Sequence, residues 1–341
     1  MRLFVPGRLE VFGKHTDYAG GHSLVAALPR GITVTAACTD DGKVAVPPSP
    51  YAETVVRRLK ANFPDAVLSC RIAWSSDLPQ AAGMSSSSAL VIAIAESIVA
   101  CARLEQTEAW RANIRTLEDR ASYFACIENG SPFGTLAGNP GVGTHGGSED
   151  HAAIVMSRAG HLGLFSFAPL RCGRFVPMPE GWTFVVAWSG VRAEKTGAVR
   201  EAYNRLADPG AMTGARLQHF EAEDARVLEA ADAFARGDIA RIGELAAASQ
   251  RDADALLENQ VPETRDLVAL ALDAGADAAS SFGAGWGGSV WALVPADGAE
   301  SFAAAWLAAY QARHPDLPAG AFVSPPEKGT GLISPSEDPR N

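Results

Sequence analysis

The chain has 341 residues, of which 47% are hydrophobic and 20% are charged, and its formal net charge is −10. That length exceeds one typical hydrophobic core, so we expect two domains of a globular protein. The excess of acidic residues, without a long run of lysine and arginine, argues against nucleic acid or an anionic membrane as a partner. It does not argue against a nucleotide, because backbone amides and a metal ion can bind a nucleotide locally.

The sequence shows no signal peptide and no stretch that would span a bilayer. Its longest apolar run, Ala89–Ala102, is too short and is interrupted by Glu96 and Ser97. The five cysteines are odd in number, scattered and without a CxxC pair, which argues against a zinc site and against a disulfide framework. We therefore expect a cytoplasmic protein in a reducing compartment.

A dense polar segment, Pro6–Gly21, lies between apolar stretches that predict strands at 3–5, 22–28 and 31–38. Burying so many polar and ionic groups beside a core is costly unless they bind one another or a ligand. A polyhydroxylated ligand fits, because its hydroxyls need both donors and acceptors. The polar side chains of this segment are Arg8, Glu10, Lys14, His15, Asp17 and Tyr18.

A run of four serines, Ser85–Ser88, follows a predicted helix at 51–62 and a predicted strand at 72–76. Serines are poor inside a helix but favoured at its start, where the free first-turn amides need partners. We therefore predict a buried helix over 85–102 whose N-terminus, with Gly83 before it, binds phosphate. A serine hydroxyl there can also coordinate magnesium. Taken alone, the segment is equally explained by a serine-capped helix without a ligand.

The later elements alternate between helix, loop and strand. One or two helices are predicted over 107–127, and the Gly/Pro-rich loop over 129–149 is long enough to indicate function. The remaining predictions are strands at 161–167, 183–187 and 289–294 and helices within 217–258, 262–274 and 298–313. This order predicts a mixed α+β fold with domains at 1–170 and 171–330 and a flexible tail at 331–341.

Four glycines lie just before the last predicted strand: Gly283, Gly285, Gly287 and Gly288. Such a density implies close backbone approach or unusual dihedral angles. The spacing satisfies G-x-G-x-x-G, but a strand follows where a dinucleotide-binding motif needs a helix. Gly7 and Gly13 also fail the P-loop pattern, because five residues separate them and His15 stands where serine or threonine is required.

The segment Gly7–Gly21 closely resembles the first signature of galactokinases, within the GHMP family of small-molecule kinases, and its His-Thr-Asp-Tyr run is specific. Leu78–Ala89 resembles the second family signature and Ser281–Ser289 the third, so the resemblance covers roughly residues 3–330. In the first two signatures Glu10 replaces asparagine, Lys14 replaces glutamate and Ala81 replaces glycine, and in the third Phe282, Trp286 and Ser289 differ from the pattern. If the position of Ala81 needs a positive φ, alanine costs about 1 kcal/mol there.

The resemblance implies the GHMP-kinase fold, with an N-terminal ribosomal-protein-like α+β domain, a C-terminal ferredoxin-like α+β domain and the active site in the cleft between them. It implies ATP and Mg²⁺ as cofactors. The residues that it assigns to the triphosphate are Gly83, Ser85, Ser86, Ser87 and Ser88. Ser87 and Glu128 would hold magnesium, although Glu128 can equally be an ordinary helix-end glutamate. The four-glycine loop would support the phosphate loop.

In the same comparison Asp150 falls on the family's catalytic aspartate, with Glu149 in place of methionine and His151 in place of glutamine. Asp150 would accept the proton of the acceptor hydroxyl, and Arg8 would hold Asp150 ionised and offset charge on the transferring phosphoryl group. A helix N-cap or first-turn carboxylate is the alternative for Asp150. Tyr203 resembles a tyrosine that lines the sugar pocket, but it can equally be a packing residue on an amphipathic helix.

We therefore predict an ATP-dependent kinase that phosphorylates the anomeric hydroxyl of a galactose-like monosaccharide. The residues expected to hold that sugar are Lys14, His15, Asp17, Tyr18 and Tyr203. A lysine cannot accept a hydrogen bond, so Lys14 leaves open an anionic acceptor such as a uronic acid, unless Lys14 pairs with a neighbouring acid. Another small-molecule kinase of this fold and a non-catalytic sugar sensor also stay open, as do a monomer and a dimer.

Overall fold

The polar segment at residues 6–21 belongs to a long antiparallel hairpin made of β1 (Arg2–Phe12) and β2 (His22–Cys38). In the register Arg2 pairs with Thr35 and Phe12 with Leu24, and bulges interrupt the pairing between Pro6 and Arg8 and between Glu10 and Phe12. The computed structural model describes residues 1–193, 197–208, 210 and 212–333. Arg8 and Glu10 thus lie in β1, and each is next to one of the two bulges.

The first sheet contains seven strands within the described residues and runs β11-β1-β2-β4-β3, with β5 on β2 and β6 on β5. Its other members are β3 (Val44–Ala45), β4 (Cys70–Ser76), β5 (His161–Ser166), β6 (Arg171–Pro177) and β11 (Gly331–Leu332). The helices of this half are α1 (Pro50–Asn62), α2 (Ser86–Cys101), α3 (Glu108–Asn113), α4 (Leu117–Asn129) and α5 (Glu149–Met156). Helix α2 is buried on nearly every side, which explains its apolar sequence and fixes its serine-rich N-terminus at the cleft.

The second sheet is antiparallel, in the order β10-β7-β9-β8. Its strands are β7 (Trp182–Trp188), β8 (Ala278–Phe282), β9 (Ser289–Pro295) and β10 (Gly320–Ser324). Its helices are α6 (Gly197–Ala207), α7 (Gly214–Arg236), α8 (Ile239–Ala255), α9 (Pro262–Asp273) and α10 (Ala299–Arg313). One face carries α9 and α10 over a core that includes Trp306, and the other joins the first half through Phe12, Phe184 and Trp291.

The chain crosses between the halves at places that differ from the predicted boundaries. Strand β6 pairs with β5, so the first sheet continues to Pro177 and not only to residue 170. Strand β11 returns to the first sheet and pairs with Leu3 and Phe4, inside the segment predicted as a tail. Residues 334–341 of that tail lie outside the described part. Two sheets with helices packed on them confirm the predicted α+β class.

The cysteines correct one expectation. Cys38, at the end of β2, forms a disulfide with Cys101, at the end of α2, although their number and spacing argued against disulfides. Cys70, Cys126 and Cys172 have free thiols. None of the helices in the described ranges has both the length and the hydropathy that a bilayer span requires.

Candidate active site

Two adjoining cavities lie where the end of the β1–β2 hairpin faces the loop after β8. The first is lined by the hairpin end, by Gly146 and Gly147 and by Tyr203 of α6. The second is lined by Gly83 and Ser85–Ser87. The residues that line both cavities, here called the shared wall, are Arg8, Glu128, Thr144, Asp150 and Ala284. A molecule in one cavity and a molecule in the other therefore meet at the same few side chains.

Arg8 brings a buried cation into the shared wall and is only 6% exposed. Its Nε lies 2.8 Å from Oδ1 of Asp150, and its Nη1 donates to the carbonyl oxygen of Gly83 at 2.8 Å. Burial acts to lower the pKa of Arg8, but the carboxylates of Asp150, Glu149 and Glu10 outweigh burial and raise that pKa. The guanidinium therefore stays charged and joins the candidate base to the phosphate loop.

Asp150 lies in the first turn of α5, and its side chain is 23% exposed toward the cavities. Ser88 Oγ donates to its Oδ2 at 3.4 Å. The N-cap of α5 is Ser148, so the alternative reading of Asp150 as the cap is wrong, although it is a first-turn carboxylate. Both the helix N-terminus and Arg8 favour its ionised form, which is the form that can accept a proton.

Aromatic and imidazole rings form one side of the first cavity. The ring centroids of His15 and Tyr203 are 6.0 Å apart, and those of Tyr18 and Tyr203 are 6.4 Å apart. His15 Nδ1 contacts the Tyr18 hydroxyl, and its Nε2 lies 3.1 Å from the carbonyl oxygen of Ala284. Burial raises the pKa of Tyr18 and Tyr203 well above the usual value, so both phenols stay neutral and can donate or accept hydrogen bonds.

Two glycines shape this cavity that sequence reasoning did not single out. A Cβ on Gly147 would collide with the carboxylate of Asp17, and a Cβ on Gly146 would lie 3.2 Å from the Tyr203 hydroxyl. Asp17 Oδ2 in turn accepts from the backbone N of Glu149 at 3.3 Å. The signal in the sequence was the Gly-Gly pair inside the long predicted loop.

The phosphate-loop candidates precede α2 in a strained turn. Ala81, Gly83 and Ser85 all have positive φ, at 50°, 74° and 59°. Ala81 thus has the positive φ for which an energetic cost of alanine was expected, at a position that favours glycine. Ser85 is the N-cap residue of α2 but its side chain does not cap the helix, and its buried Oγ has no hydrogen-bond partner among the described residues. A buried hydroxyl and free helix amides fit a phosphate ligand.

The four-glycine loop packs directly against this turn. Gly283, Gly285, Gly287 and Gly288 all have positive φ. A Cβ on Gly283 would lie 2.9 Å from the carbonyl oxygen of Gly83, and a Cβ on Gly285 would lie 2.5 Å from that of Asn259. A side chain at Gly283 would press on the phosphate loop, and one at Gly285 would press on the Asn259 segment.

Glu128 lies in the last turn of α4, in the shared wall, at 9% exposure, and Ser87 also lines the second cavity. Burial acts to raise the pKa of Glu128, but His151, whose Nε2 is 3.1 Å from Glu128 Oε2, and the Ser88 hydroxyl outweigh burial and lower that pKa. An ionised carboxylate and a serine hydroxyl are oxygen ligands of the kind magnesium prefers beside phosphates. No group of three or more His, Cys, Asp or Glu in the described residues forms a metal cluster by itself.

Lys14 was predicted to bind the sugar, but it lies outside both cavities. It is 1% exposed and lines neither cavity. Its Nζ donates to Ser249 Oγ at 2.7 Å and to Ser280 Oγ at 2.9 Å, while Glu223 accepts from its backbone N at 3.4 Å. Lys14 therefore fastens the hairpin end to α7, α8 and β8, and the substrate-binding prediction for it is wrong. Its ammonium group bonds to two serine hydroxyls and is attracted by the carboxylates of Glu223 and Glu10.

Three family models match the chain. A galactokinase galactose-binding signature matches residues 2–38, an N-terminal GHMP kinase domain matches 50–129 and a C-terminal GHMP kinase domain matches 230–312. The matches cover both halves of the fold and include the hairpin end, the phosphate loop and the four-glycine loop.

Relatives and solved structures agree with the family models over nearly the whole chain. A galactokinase from Glaesserella parasuis is 26% identical over 86% of this chain and 85% of its own length. The crystal structure of Lactococcus lactis galactokinase with galactose has a TM-score of 0.77 at 20% identity and covers 97% of this chain and 95% of that one. A mevalonate kinase from L. major has a TM-score of 0.64 at 16% identity, covering 96% of each chain. The chain therefore belongs to the GHMP kinase family and is a galactokinase-like, ATP-dependent sugar kinase that uses Mg²⁺.

Proposed function

We propose that this kinase transfers the γ-phosphoryl group of ATP to the anomeric hydroxyl of a neutral, galactose-like monosaccharide. The observation that carries the proposal is the shared wall, in which the Arg8–Asp150 pair faces both cavities at once. The match of residues 2–38 to a galactose-binding signature and the relatives named galactokinase support the choice of sugar.

The charge of the first cavity supports a neutral acceptor over a uronic acid. Its described lining holds the carboxyl groups of Glu10, Asp17, Glu128, Glu149 and Asp150. Arg8 is the one arginine or lysine in that described lining, and Lys14 lies outside it. The carboxylate of a uronic acid would enter an environment that already has an excess of negative charge. The uronate alternative rested on Lys14 and loses its support with that residue.

In the proposed reaction the sugar lies in the first cavity and the phosphates of ATP in the second. Asp150 accepts the hydrogen bond and then the proton of the acceptor hydroxyl, whose oxygen forms the new bond to phosphorus as the bond to ADP breaks. Arg8 holds Asp150 ionised and offsets negative charge on the phosphoryl group. Ser85, Ser86 and the free amides of α2 orient the phosphates.

The magnesium site would use Ser87 and Glu128, which face the second cavity from different elements. When bound, Mg²⁺ supplies positive charge that neutralises the phosphate oxygens. His15, Asp17, Tyr18 and Tyr203 would orient the sugar ring through hydrogen bonds and ring contacts, since all four line the first cavity.

The test is ADP release from Mg-ATP with galactose, galacturonate, mevalonate and homoserine as separate acceptors. We expect turnover with galactose and none with galacturonate, and phosphorus NMR of the product should identify an anomeric phosphate. Asp150→Asn should lower kcat by about 10²-fold or more while it still binds sugar and nucleotide. The matched control is Asp65→Asn, at an exposed position. Sugar binding without turnover would support a sensor, and turnover with another acceptor would overturn the choice of sugar.

A further inference from the structure

Three carboxyl groups converge on one guanidinium below the first cavity. Nε of Arg8 lies 2.8 Å from Asp150 Oδ1 and 3.0 Å from Glu149 Oε1, and Nη2 lies 3.7 Å from Glu10 Oε2. Glu10 and Glu149 are each 4% exposed, whereas Asp150 opens to the cavities. If all three carboxyl groups were ionised, Arg8 would therefore face three negative charges. Two of those charges, on Glu10 and Glu149, would be buried.

Beyond Arg8, the surroundings of Glu10 and Glu149 in the described residues supply one further positive charge, Lys14, which also faces Glu223. Glu149 Oε2 accepts from Ser23 Oγ at 2.6 Å, and Glu10 Oε1 is buried with no hydrogen-bond partner among the described residues. Both carboxyl groups contact the same guanidinium, Glu149 through Oε1 at Nε of Arg8 and Glu10 through Oε2 at Nη2, so they lie side by side. The charged groups that face the two carboxyl groups are Arg8, Lys14, Asp17, Asp150 and Glu223. Three of those five are acids, and Lys14 is already bonded to two serines and attracted by Glu223.

We propose that Glu10 and Glu149 hold one proton between them, as a carboxylic acid and a carboxylate, and that this pair reserves the charge of Arg8 for Asp150. A shared proton gives the buried Glu10 oxygen a partner and removes one of the three negative charges. Burial raises the pKa of both carboxyl groups, and for Glu149 the negative charges of Glu10, Asp17 and Asp150 raise it further. Glu10 and Glu149 are positioning residues, because they would act on the reaction through Arg8.

The consequence is an alkaline-sensitive group in the active site, and this part of the inference rests on the proposed function. When the pair loses its proton at high pH, Arg8 faces three carboxylates and its hold on Asp150 weakens. The protonated pair is the competent form, so kcat/KM should be full below the pKa of the pair and fall as pH rises through it. A neutral glutamine at either position cannot undergo this change.

The primary test is infrared spectroscopy of the whole protein with isotope-labelled glutamate, which needs no substrate. At neutral pH we expect a protonated-carboxyl C=O band that is lost in both Glu149→Gln and Glu10→Gln, because either remaining glutamate ionises beside Arg8. The matched control is Glu300→Gln, at an exposed position of α10, which should keep the band. A cooperative thermal unfolding transition shows that each variant is folded. Loss of the band in both single variants shows that the proton needs both glutamates.

The second readout is the pH profile of kcat/KM. The wild type should show an alkaline limb that moves up by about one pH unit or more in Glu149→Gln, a change that a merely structural role would not produce. A neutral-pH spectrum without the band, or a band that persists in both variants, would overturn the proton sharing. If the band is present but the alkaline limb is unchanged in Glu149→Gln, the role of the pair in catalysis would be overturned. If no sugar is a substrate, the proposed function fails, and the infrared spectrum alone tests whether the two glutamates share a proton.

Discussion

Replacing Glu223 tests whether the hairpin end is held to the C-terminal half by a buried ionic cluster. Its carboxylate is fully buried in α7, where Oε1 accepts from the backbone N of Gly13 at 3.0 Å and from Ser249 Oγ at 2.9 Å, and Oε2 pairs with Arg226. Burial acts to raise the pKa of Glu223, but Lys14, Arg226, His219 and the hydrogen bond from Gly13 outweigh burial and lower it to about 2.

The magnitude follows from that pKa. A shift from 4.5 to about 2 corresponds to about 3 kcal/mol of folding free energy. Because the folded-state pKa is depressed, this stabilisation is complete above pH 4.5 and is lost as the pH falls toward 2. Glu223→Gln should therefore lower the free energy of unfolding at pH 7 by about 3 kcal/mol or more, since it also leaves Lys14 without its anion.

The assay is urea unfolding from pH 7 to pH 3, followed by tryptophan fluorescence. The matched control is Glu221→Gln, an exposed residue on the same helix. In the wild type and in the control, stability should fall steeply below pH 4.5, whereas Glu223→Gln should start lower and lose less in that window. His219, whose pKa burial lowers to about 4, adds a loss between pH 6.5 and 4 in all three proteins. Equal stability of Glu223→Gln and the control at pH 7 would refute the reasoning.

Three other predictions concern the phosphate side. Glu128→Gln should raise the Mg²⁺ concentration for half-maximal activity severalfold, measured by metal titration, because an ionised oxygen ligand is lost; an unchanged requirement would remove Glu128 from the metal site. Ala81→Gly should raise stability by about 1 kcal/mol or less, measured by thermal unfolding, because φ is 50° there; a loss of stability would contradict strain at that turn. Gly283→Ala should weaken nucleotide binding about tenfold in calorimetry, because its Cβ would lie 2.9 Å from the Gly83 oxygen; unchanged binding would show that the loops can separate.

Local patterns in the sequence predicted those parts of the site that depend on backbone conformation. Serines before an apolar stretch indicated a helix N-terminus, and α2 begins at Ser86. The density of glycine after β8 indicated unusual dihedral angles, and φ is positive at Gly283 and Gly288. Such features are set by neighbouring residues in the chain, so one sequence is enough to reveal them.

Features that depend on remote partners were not predictable in the same way. The direction of the Lys14 side chain is set by Ser249 and Ser280, which lie 235 and 266 residues away. The boundary of the first half depends on β6, which has few buried residues and pairs with β5. The disulfide from Cys38 to Cys101 likewise joins the ends of two elements that meet only in the folded chain.

Two charged residues that depart from the galactokinase-like pattern, Glu10 and Lys14, each face a second charged residue. Glu10 meets Glu149, and Lys14 meets Glu223, so each unusual charged group has a partner that the pattern does not include. A single replacement leaves the other member buried without its partner, which costs more than the pair contributes. We therefore expect the losses in stability of Lys14→Met and Glu223→Gln to be strongly non-additive. The double variant lacks both the ammonium group of Lys14 and the carboxylate of Glu223, so no lysine is left buried without an anion. The coupling free energy from the double-mutant cycle measures how far the two positions depend on each other.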